Sequence, residues 1–142
     1  MTWNLRLITI TGIAIVLVAA GAIAFISTQD DPEDTTAAVE DGTINIPELS
    51  ETAQLGEALF NENCVGCHGD NSTGTGNGPP LVHVIYEPSH HADISFVLAA
   101  RNGVRAHHWQ FGNMPAQPQV DEEEVLTIVQ YVRELQRANG IF

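Results

Sequence analysis

Five consecutive residues carry the most reactive chemistry in this sequence: Cys64-Val65-Gly66-Cys67-His68, which include both cysteines of the chain. Two cysteines three positions apart, followed at once by a histidine, form the pattern of covalent c-type haem attachment. Each thiol can form a thioether to one haem vinyl group, and the adjacent imidazole can bind the iron. We therefore predict one haem, attached through Cys64 and Cys67, with His68 as the proximal ligand of its iron.

Three other kinds of site also use a Cys-x-x-Cys pair. A thioredoxin-like redox pair belongs to a βαβ unit, whereas this pair follows an amphipathic helical segment and precedes a glycine-rich one. A zinc site needs further ligands, which His83, His90 or His91 would have to supply. A disulfide across two intervening residues closes too small a loop to stabilise a fold much. The histidine directly after the pair favours haem over these three.

The other axial ligand of the iron is predicted to be the thioether of Met114. The chain has only two methionines, and Met1 lies before the apolar segment that would separate it from the haem motif. A thioether stabilises ferrous over ferric iron, which raises the reduction potential and suits an electron carrier. The other reading of Met114 is a side chain that fills space in the core.

Two adjacent histidine pairs leave alternatives open. They are His90-His91 and His107-His108. Any of these imidazoles could replace Met114 on the iron, and the potential would then be lower. The second pair and Trp109 either line one edge of the haem, where Trp109 or Arg105 would donate hydrogen bonds to a propionate, or lie exposed in a loop.

Helical segments must position these residues. Ser50 is a suitable N-cap for a first helix that runs to Phe60, with Leu55, Leu59 and Phe60 as its apolar face. A short helix is predicted from Ile94 to Arg101, stopped by Asn102-Gly103. Between them, the glycines and prolines of Gly66–Pro80 indicate tight loops rather than regular structure.

The last helix is predicted to begin at Asp121 and to end at Asn139-Gly140. Residues 121–124 are all acidic and suit the positive end of the helix dipole, while Arg133 and Arg137 suit the other end. The apolar positions repeat at helical spacing. They are Val125, Ile128, Val129, Val132 and Leu135.

Apolar side chains must also cover the haem, because burial helps to set its potential. Our candidates for this cover are Phe60, Leu81, Val97, Leu98, Phe111, Ile128 and Tyr131. Roughly 95 ordered residues form a marginal core on their own, so the cofactor is expected to stabilise the fold as well.

The N-terminal part contains a membrane-spanning pattern. Leu7–Ile26 is a stretch of 20 uncharged residues, and a helix of that length crosses a bilayer core of about 30 Å. Arg6 precedes the stretch and the first acidic residue follows at Asp30, so the N-terminus is predicted to be cytoplasmic. A cleaved secretory signal ending near Ala22-Ile23-Ala24 is the alternative, but the apolar region of such signals is usually about 7–15 residues long.

We therefore predict three parts: a transmembrane anchor at 1–26, an acidic flexible linker at 27–49 and a folded domain at 50–142. Both readings of the N-terminus place that domain on the periplasmic side of the inner membrane. From Ser27 onward the chain has 18 acidic residues against four arginines, a formal charge of −14. This charge argues against nucleic-acid binding and favours cationic partners, although it also serves solubility.

From Ser50 onward, about two-thirds of the chain, the sequence resembles the small single-haem cytochrome c family. Gly56 and Phe60 resemble the pair at which the first helix of that family crosses the last, where Ile128 and Tyr131 lie in this sequence. Gly78-Pro79-Pro80-Leu81 resembles the loop in which a proline carbonyl, Pro79 here, accepts a hydrogen bond from the proximal imidazole. Met114-Pro115 resembles the loop of the distal ligand. The resemblance implies an all-α domain around one haem c, here preceded by a single transmembrane helix.

With both axial positions filled by the protein, the iron has no open site for a substrate, and the predicted function is electron transfer rather than catalysis. The resemblance allows a shuttle between a quinol-oxidising complex as donor and a terminal oxidase, reductase or photosynthetic centre as acceptor. Three alternatives stay open. They are a fixed subunit of a larger membrane oxidoreductase, a haem enzyme or gas sensor without Met114 on the iron, and a zinc or thiol protein.

Overall fold

The computed structural model describes residues 43–142, which contain four α-helices and no β-strand. The helices are α1 (Glu51–Asn63), α2 (Val65–His68), α3 (Asp93–Asn102) and α4 (Glu122–Ala138). Two 3-10 turns lie at Asp70–Ser72 and Val84–Tyr86. The helical fold class is thus confirmed for this part of the chain.

The predicted anchor at 1–26 and most of the predicted linker lie outside the described residues. Among residues 43–142, none of the helices has the length and apolar character needed to cross a membrane.

Helix α1 begins where the sequence predicts but buries a different face. The hydroxyl oxygen of Ser50 accepts a hydrogen bond from the backbone N–H of Ala53 at 3.2 Å, so Ser50 is the N-cap. The buried residues are Ala53, Gly56 and Phe60, whereas Leu55 is 65% exposed. The prediction of Leu55 on the buried face was therefore wrong, because α1 turns its small residues toward α4.

The crossing of α1 and α4 depends on Gly56. A Cβ atom at this position would lie 2.2 Å from the carbonyl oxygen of Thr127 and 3.0 Å from the Cβ of Tyr131. One turn further along α1, the rings of Phe60 and Tyr131 pack with their centroids 5.5 Å apart. Only glycine allows the two backbones to approach this closely, as the family resemblance implied for Gly56 and Phe60.

Helix α4 is the central element of the core. Asp121 and Glu124 form a capping box, in which each side chain accepts a hydrogen bond of 2.9 Å from the backbone N–H of the other residue. All five predicted apolar positions of this helix are buried. Helix α3 extends one residue beyond each predicted end, and Gly103 ends it with a φ of 73°.

Arg133 has a role that its sequence position does not reveal. The helix-dipole interpretation was wrong for this residue, because Arg133 is only 4% exposed and its side chain bonds to distant parts of the chain. Its guanidinium donates to Asp93 at 2.8 Å, to the backbone carbonyl of Tyr86 at 2.7 Å and to the carbonyl of His91. One side chain of α4 thus holds the segment that connects the Val84–Tyr86 turn to α3.

The segment 43–49 contacts the domain, although the sequence assigns it to the linker. Ile44 and Leu49 pack against the core. The backbone N–H of Asn45 donates to the side chain of Asn139 at 2.8 Å, and the Asn139 amide donates back to the Asn45 carbonyl at 2.9 Å. The structured domain therefore includes residues before Ser50.

Candidate haem site

A cavity of about 480 Å³ lies among α1, α3, α4 and the loops that carry the predicted haem ligands. This cavity is lined by all four predicted haem-binding residues, Cys64, Cys67, His68 and Met114. Five of the seven residues predicted to cover the haem line it too. They are Phe60, Leu81, Leu98, Phe111 and Ile128.

The other two predicted cover residues, Val97 and Tyr131, are not among the lining residues. Val97 packs against Ala100, Val125 and Val129, and Tyr131 belongs to the core cluster at the crossing of α1 and α4. Their apolar character marked both as candidates for the haem cover, but it could not distinguish the core from the cavity wall.

The Cys-x-x-Cys-His motif lies at the junction of α1 and α2. The backbone N–H of Cys64 donates to the Phe60 carbonyl at 2.7 Å, and the N–H of His68 donates to the Cys64 carbonyl at 3.0 Å. The one-turn helix α2 therefore directly follows α1 and places both cysteines and the histidine within one turn. The hydroxyl of Thr75 donates to the Cys67 carbonyl at 2.6 Å and ties the following loop to the motif.

The ring of His68 is oriented by one hydrogen bond. Its Nδ1 lies 2.9 Å from the carbonyl oxygen of Pro79, and a carbonyl can only accept, so Nδ1 carries the proton. The Nε2 atom is then unprotonated and available to bind a metal. Burial lowers the pKa of His68, partly offset by the bond to Pro79, which favours this neutral form. The structure thus shows the proline contact that the resemblance implied.

The two cysteines form no disulfide and differ from the reactive pair of a thiol oxidoreductase. Burial, together with the charge of Cys67, raises the pKa of Cys64 to about 11, whereas redox-active cysteines have a lowered thiol pKa. The described residues also lack the strands of a βαβ unit. Both observations contradict the thioredoxin-like alternative.

Zinc ligation by the cysteine pair also finds no support. Within residues 43–142, one group of three or more potential ligand side chains has its ligand atoms within 4.8 Å of one another, and it consists of His90, His91 and His108. No cysteine belongs to that group, so the histidines named as further ligands do not converge on Cys64 and Cys67.

Met114 is held in place through its backbone. It forms an isolated antiparallel bridge with Val104, with N–H to carbonyl distances of 2.9 and 3.0 Å in the two directions. Gly103, next to this bridge, has a φ of 73°, and a Cβ there would lie 2.7 Å from the Met114 carbonyl oxygen. The loop from 103 to 117 therefore leaves α3 at a glycine and returns to bring Met114 to the cavity.

Trp109 supplies a buried donor at the cavity wall. Its indole N–H is buried and has no hydrogen-bond partner of ordinary geometry. Burial raises the pKa of Tyr86, and the nearby indole N–H of Trp109 partly offsets that rise, although the pair does not reach full hydrogen-bond geometry. A spare donor beside an apolar cavity suits a cofactor that carries carboxylates. Arg105 is not among the residues that line the cavity.

The two histidine pairs meet in space, which the sequence did not reveal. The rings of His90 and His108 lie 5.3 Å apart, and those of His107 and His108 lie 4.2 Å apart. His91, His107 and His108 line the cavity, whereas His90 does not. Desolvation and the neighbouring imidazoles of His107, His91 and His90 lower the pKa of His108.

The residues of the cavity fit a covalently bound haem: two thiols, an oriented imidazole, a thioether and apolar walls surround one space. Residues 53–136, more than half of the chain, match the family model for Cytochrome c. A comparison with curated proteins and one with solved structures each found no match. On the family match, the chain belongs to the cytochrome c family, whose members bind haem c covalently and generally carry electrons.

Proposed function

We propose that this protein carries one electron at a time on a haem attached to Cys64 and Cys67, with His68 and Met114 as the axial ligands of its iron. One observation carries the proposal: these four residues line the same cavity. The bond from Nδ1 of His68 to Pro79 supports it, because it leaves Nε2 for the iron.

The bound haem supplies a one-electron couple between ferric and ferrous iron. The residues of the chain set the properties of that couple. The hydrogen bond to the Pro79 carbonyl keeps the His68 imidazole neutral and leaves its Nε2 to bind the iron. The thioether of Met114 favours the reduced state. The apolar walls limit the access of water, which also favours the form with lower charge.

We further propose that residues 7–26 anchor the protein in the inner membrane, with the haem domain on the periplasmic side. The support is the length of the uncharged stretch and the position of Arg6 before it. In this arrangement the domain shuttles electrons from a quinol-oxidising complex to a terminal oxidase, reductase or photosynthetic centre. A fixed subunit of a larger oxidoreductase is the second candidate.

The class of the protein can be tested by expressing the full chain in a cell that matures c-type cytochromes. Mass spectrometry should show the chain plus one haem, and a denaturing gel should retain the haem stain. The bare chain mass from such a cell would overturn the proposal.

The ligands are tested by adding carbon monoxide to the reduced wild type and to reduced Met114→Ala, with binding followed by absorption. The reduced wild type should not bind carbon monoxide readily, whereas the variant should, because its distal position is open. Ready binding by the wild type would show that Met114 is not a ligand of the iron.

The shuttle and the fixed subunit differ in their behaviour in mild detergent and in salt. A fixed subunit would copurify with a partner in constant stoichiometry, and a shuttle would not. For a shuttle with a cationic partner, the rate of electron transfer should fall as ionic strength rises, because the acidic chain is screened.

A further inference from the structure

Three histidines from two separate segments converge beside the haem cavity. His90 and His91 lie between the Val84–Tyr86 turn and α3, and His108 lies in the loop that leads to Met114. One ligand nitrogen of each lies within 4.8 Å of those of the other two. The ring centroids confirm the approach, since the three pairs are 4.7, 5.3 and 5.3 Å apart.

The surroundings of the cluster resemble the outer shell of a metal site. The Nδ1 atom of His91 lies 2.6 Å from the Ile85 carbonyl oxygen, which makes it the donor and leaves Nε2 unprotonated. His107, whose ring is next to that of His108, has the same arrangement with the Arg105 carbonyl at 2.9 Å. Metal-binding histidines commonly donate their second ring N–H to a backbone carbonyl in this way.

The backbone on one side of the cluster is fixed as well. The buried guanidinium of Arg133 donates to the carbonyl of His91, and the N–H groups of His90 and His91 both donate to the Glu87 carbonyl, at 3.1 and 2.8 Å. Two of the three imidazoles are thus attached to a rigid turn. A site that needs little rearrangement loses less binding free energy to ordering.

We propose that His90, His91 and His108 bind one divalent transition-metal ion of the zinc type at the rim of the haem cavity. Imidazole nitrogens suit zinc, copper and nickel and are poor ligands for magnesium. Two nitrogens bound to one zinc at 2.0–2.1 Å are about 3.4 Å apart. His90 and His108 are exposed, so rotation of their side chains closes the remaining distance. Water or His107 completes the coordination.

Such an ion joins the turn at His90-His91 to the loop that carries Met114. An ion that binds only the folded arrangement stabilises it by mass action. The metal therefore restrains the distal loop and keeps Met114 in the cavity. This role goes beyond the proposed electron transfer, and it rests on the proposed function in one respect: Met114, and not a histidine of the cluster, binds the haem iron.

The test uses the haem-loaded protein, prepared without a polyhistidine tag, and Zn²⁺ as the probe. Calorimetric titration should show one Zn²⁺ per chain, and Mg²⁺ at the same concentration should give no signal. Zn²⁺ should also raise the melting temperature. His108→Asn and His90→Asn should each weaken Zn²⁺ binding more than about tenfold, since even the loss of an outer partner of a metal site has that effect.

His83→Asn is the matched control. His83 is a histidine outside the cluster, and it caps the Val84–Tyr86 turn by accepting the Ile85 N–H at 3.2 Å. Asparagine can accept the same bond, so the variant removes one imidazole and keeps the cap. Its affinity for Zn²⁺ should equal that of the wild type.

Stoichiometric binding of Zn²⁺ that is lost in His108→Asn and kept in His83→Asn supports the site. Absence of binding, or equal binding by all variants, overturns it. Haem content is measured by mass for each variant, so a failure of haem attachment is recognised separately from a failure of the metal site.

Discussion

The two segments that bring predicted ligands to the cavity differ in how they are held. In the first, residues 64–80, the cysteines and His68 lie in one helical turn that directly follows α1. In the second, residues 103–117, Met114 is reached only after a loop whose residues 105–108 are all exposed. The conformation of the first segment is fixed by contacts between residues close in sequence. The second segment is positioned by its attachment to the end of α3. We therefore expect the second segment to lose its native structure first when the protein is heated or denatured.

The largest effect is expected from breaking the first segment. Cys64→Ala combined with Cys67→Ala removes both covalent attachments, and the haem stain should vanish completely. The apoprotein should also lose cooperative thermal unfolding, because the small core depends on its cofactor. Calorimetry is the measurement, and a transition as sharp as that of the holoprotein would contradict the prediction.

A ligand exchange in the second segment should leave the haem attached and change its potential. Met114→His replaces a thioether with an imidazole, which stabilises ferric iron. We expect the potential to fall by on the order of 100 mV, within the range of about 0.8 V that axial ligands cover. A redox titration measures the shift, and an unchanged potential would show that Met114 is not a ligand.

Gly103→Ala should loosen only the second segment. Gly103 has a positive φ, and a Cβ there would lie 2.7 Å from the Met114 carbonyl oxygen. We therefore expect the free energy of unfolding to fall by about 1–3 kcal/mol. Carbon monoxide should also bind the reduced variant faster than the wild type, while covalent haem stays complete. Stopped-flow absorption and urea unfolding measure the two effects.

Gly112→Ala is the matched control for that contact. Gly112 lies in the same loop and also has a positive φ, but a Cβ there would have no neighbour within 4 Å. The free energy of unfolding of Gly112→Ala should fall by about 1–2 kcal/mol, because alanine strains the backbone at a positive φ. Carbon monoxide should bind this variant no faster than the wild type. Equal rates in both variants would refute the role of the contact with Met114.

The smallest effect concerns the link between the first segment and α4. Tyr131 donates to the side chain of Asn71 at 3.3 Å, and Tyr131→Phe should cost no more than about 1 kcal/mol at neutral pH. Burial, with the charges of Glu57 and Asp70, raises the pKa of Tyr131 to about 12 from its ordinary 10.0.

The raised pKa of Tyr131 gives this variant a pH signature. The unfolded state loses the phenol proton first, so stability from this group is present below pH 10.0 and is lost as pH rises toward 12. Urea unfolding at pH 7 and pH 11 should show a smaller alkaline loss in Tyr131→Phe than in the wild type. Identical losses would mean that folding does not raise the pKa of Tyr131.

The sequence predicted those features that depend on neighbouring residues. Ser50 and Asp121 start α1 and α4 because their side chains bond to N–H groups three residues later. Gly103 stops α3 because glycine adopts a positive φ at little cost. The Cys-x-x-Cys-His motif is equally local. Each of these predictions needs only a few consecutive residues.

The features that the sequence did not reveal all depend on contacts between distant segments. Leu55 has the apolar character of a core residue, yet it is exposed because Gly56 is the residue that faces α4. Arg133 bonds to residues 40 or more positions away. The two histidine pairs meet only when α3 and the Met114 loop are in place. The membrane anchor at 1–26 stays a prediction, because it lies outside the described residues.

The docking of residues 43–49 has a mechanical consequence. Asn45 is bonded to Asn139, and Ser50 is bonded through both its N–H and its hydroxyl to Glu134, at 3.0 and 2.6 Å. A pull on the chain at residue 43 would thus pass first into the final turns of α4. The segments around Cys64 and Met114 are therefore not the first to bear that force, which reaches the proposed iron ligands only through the helices.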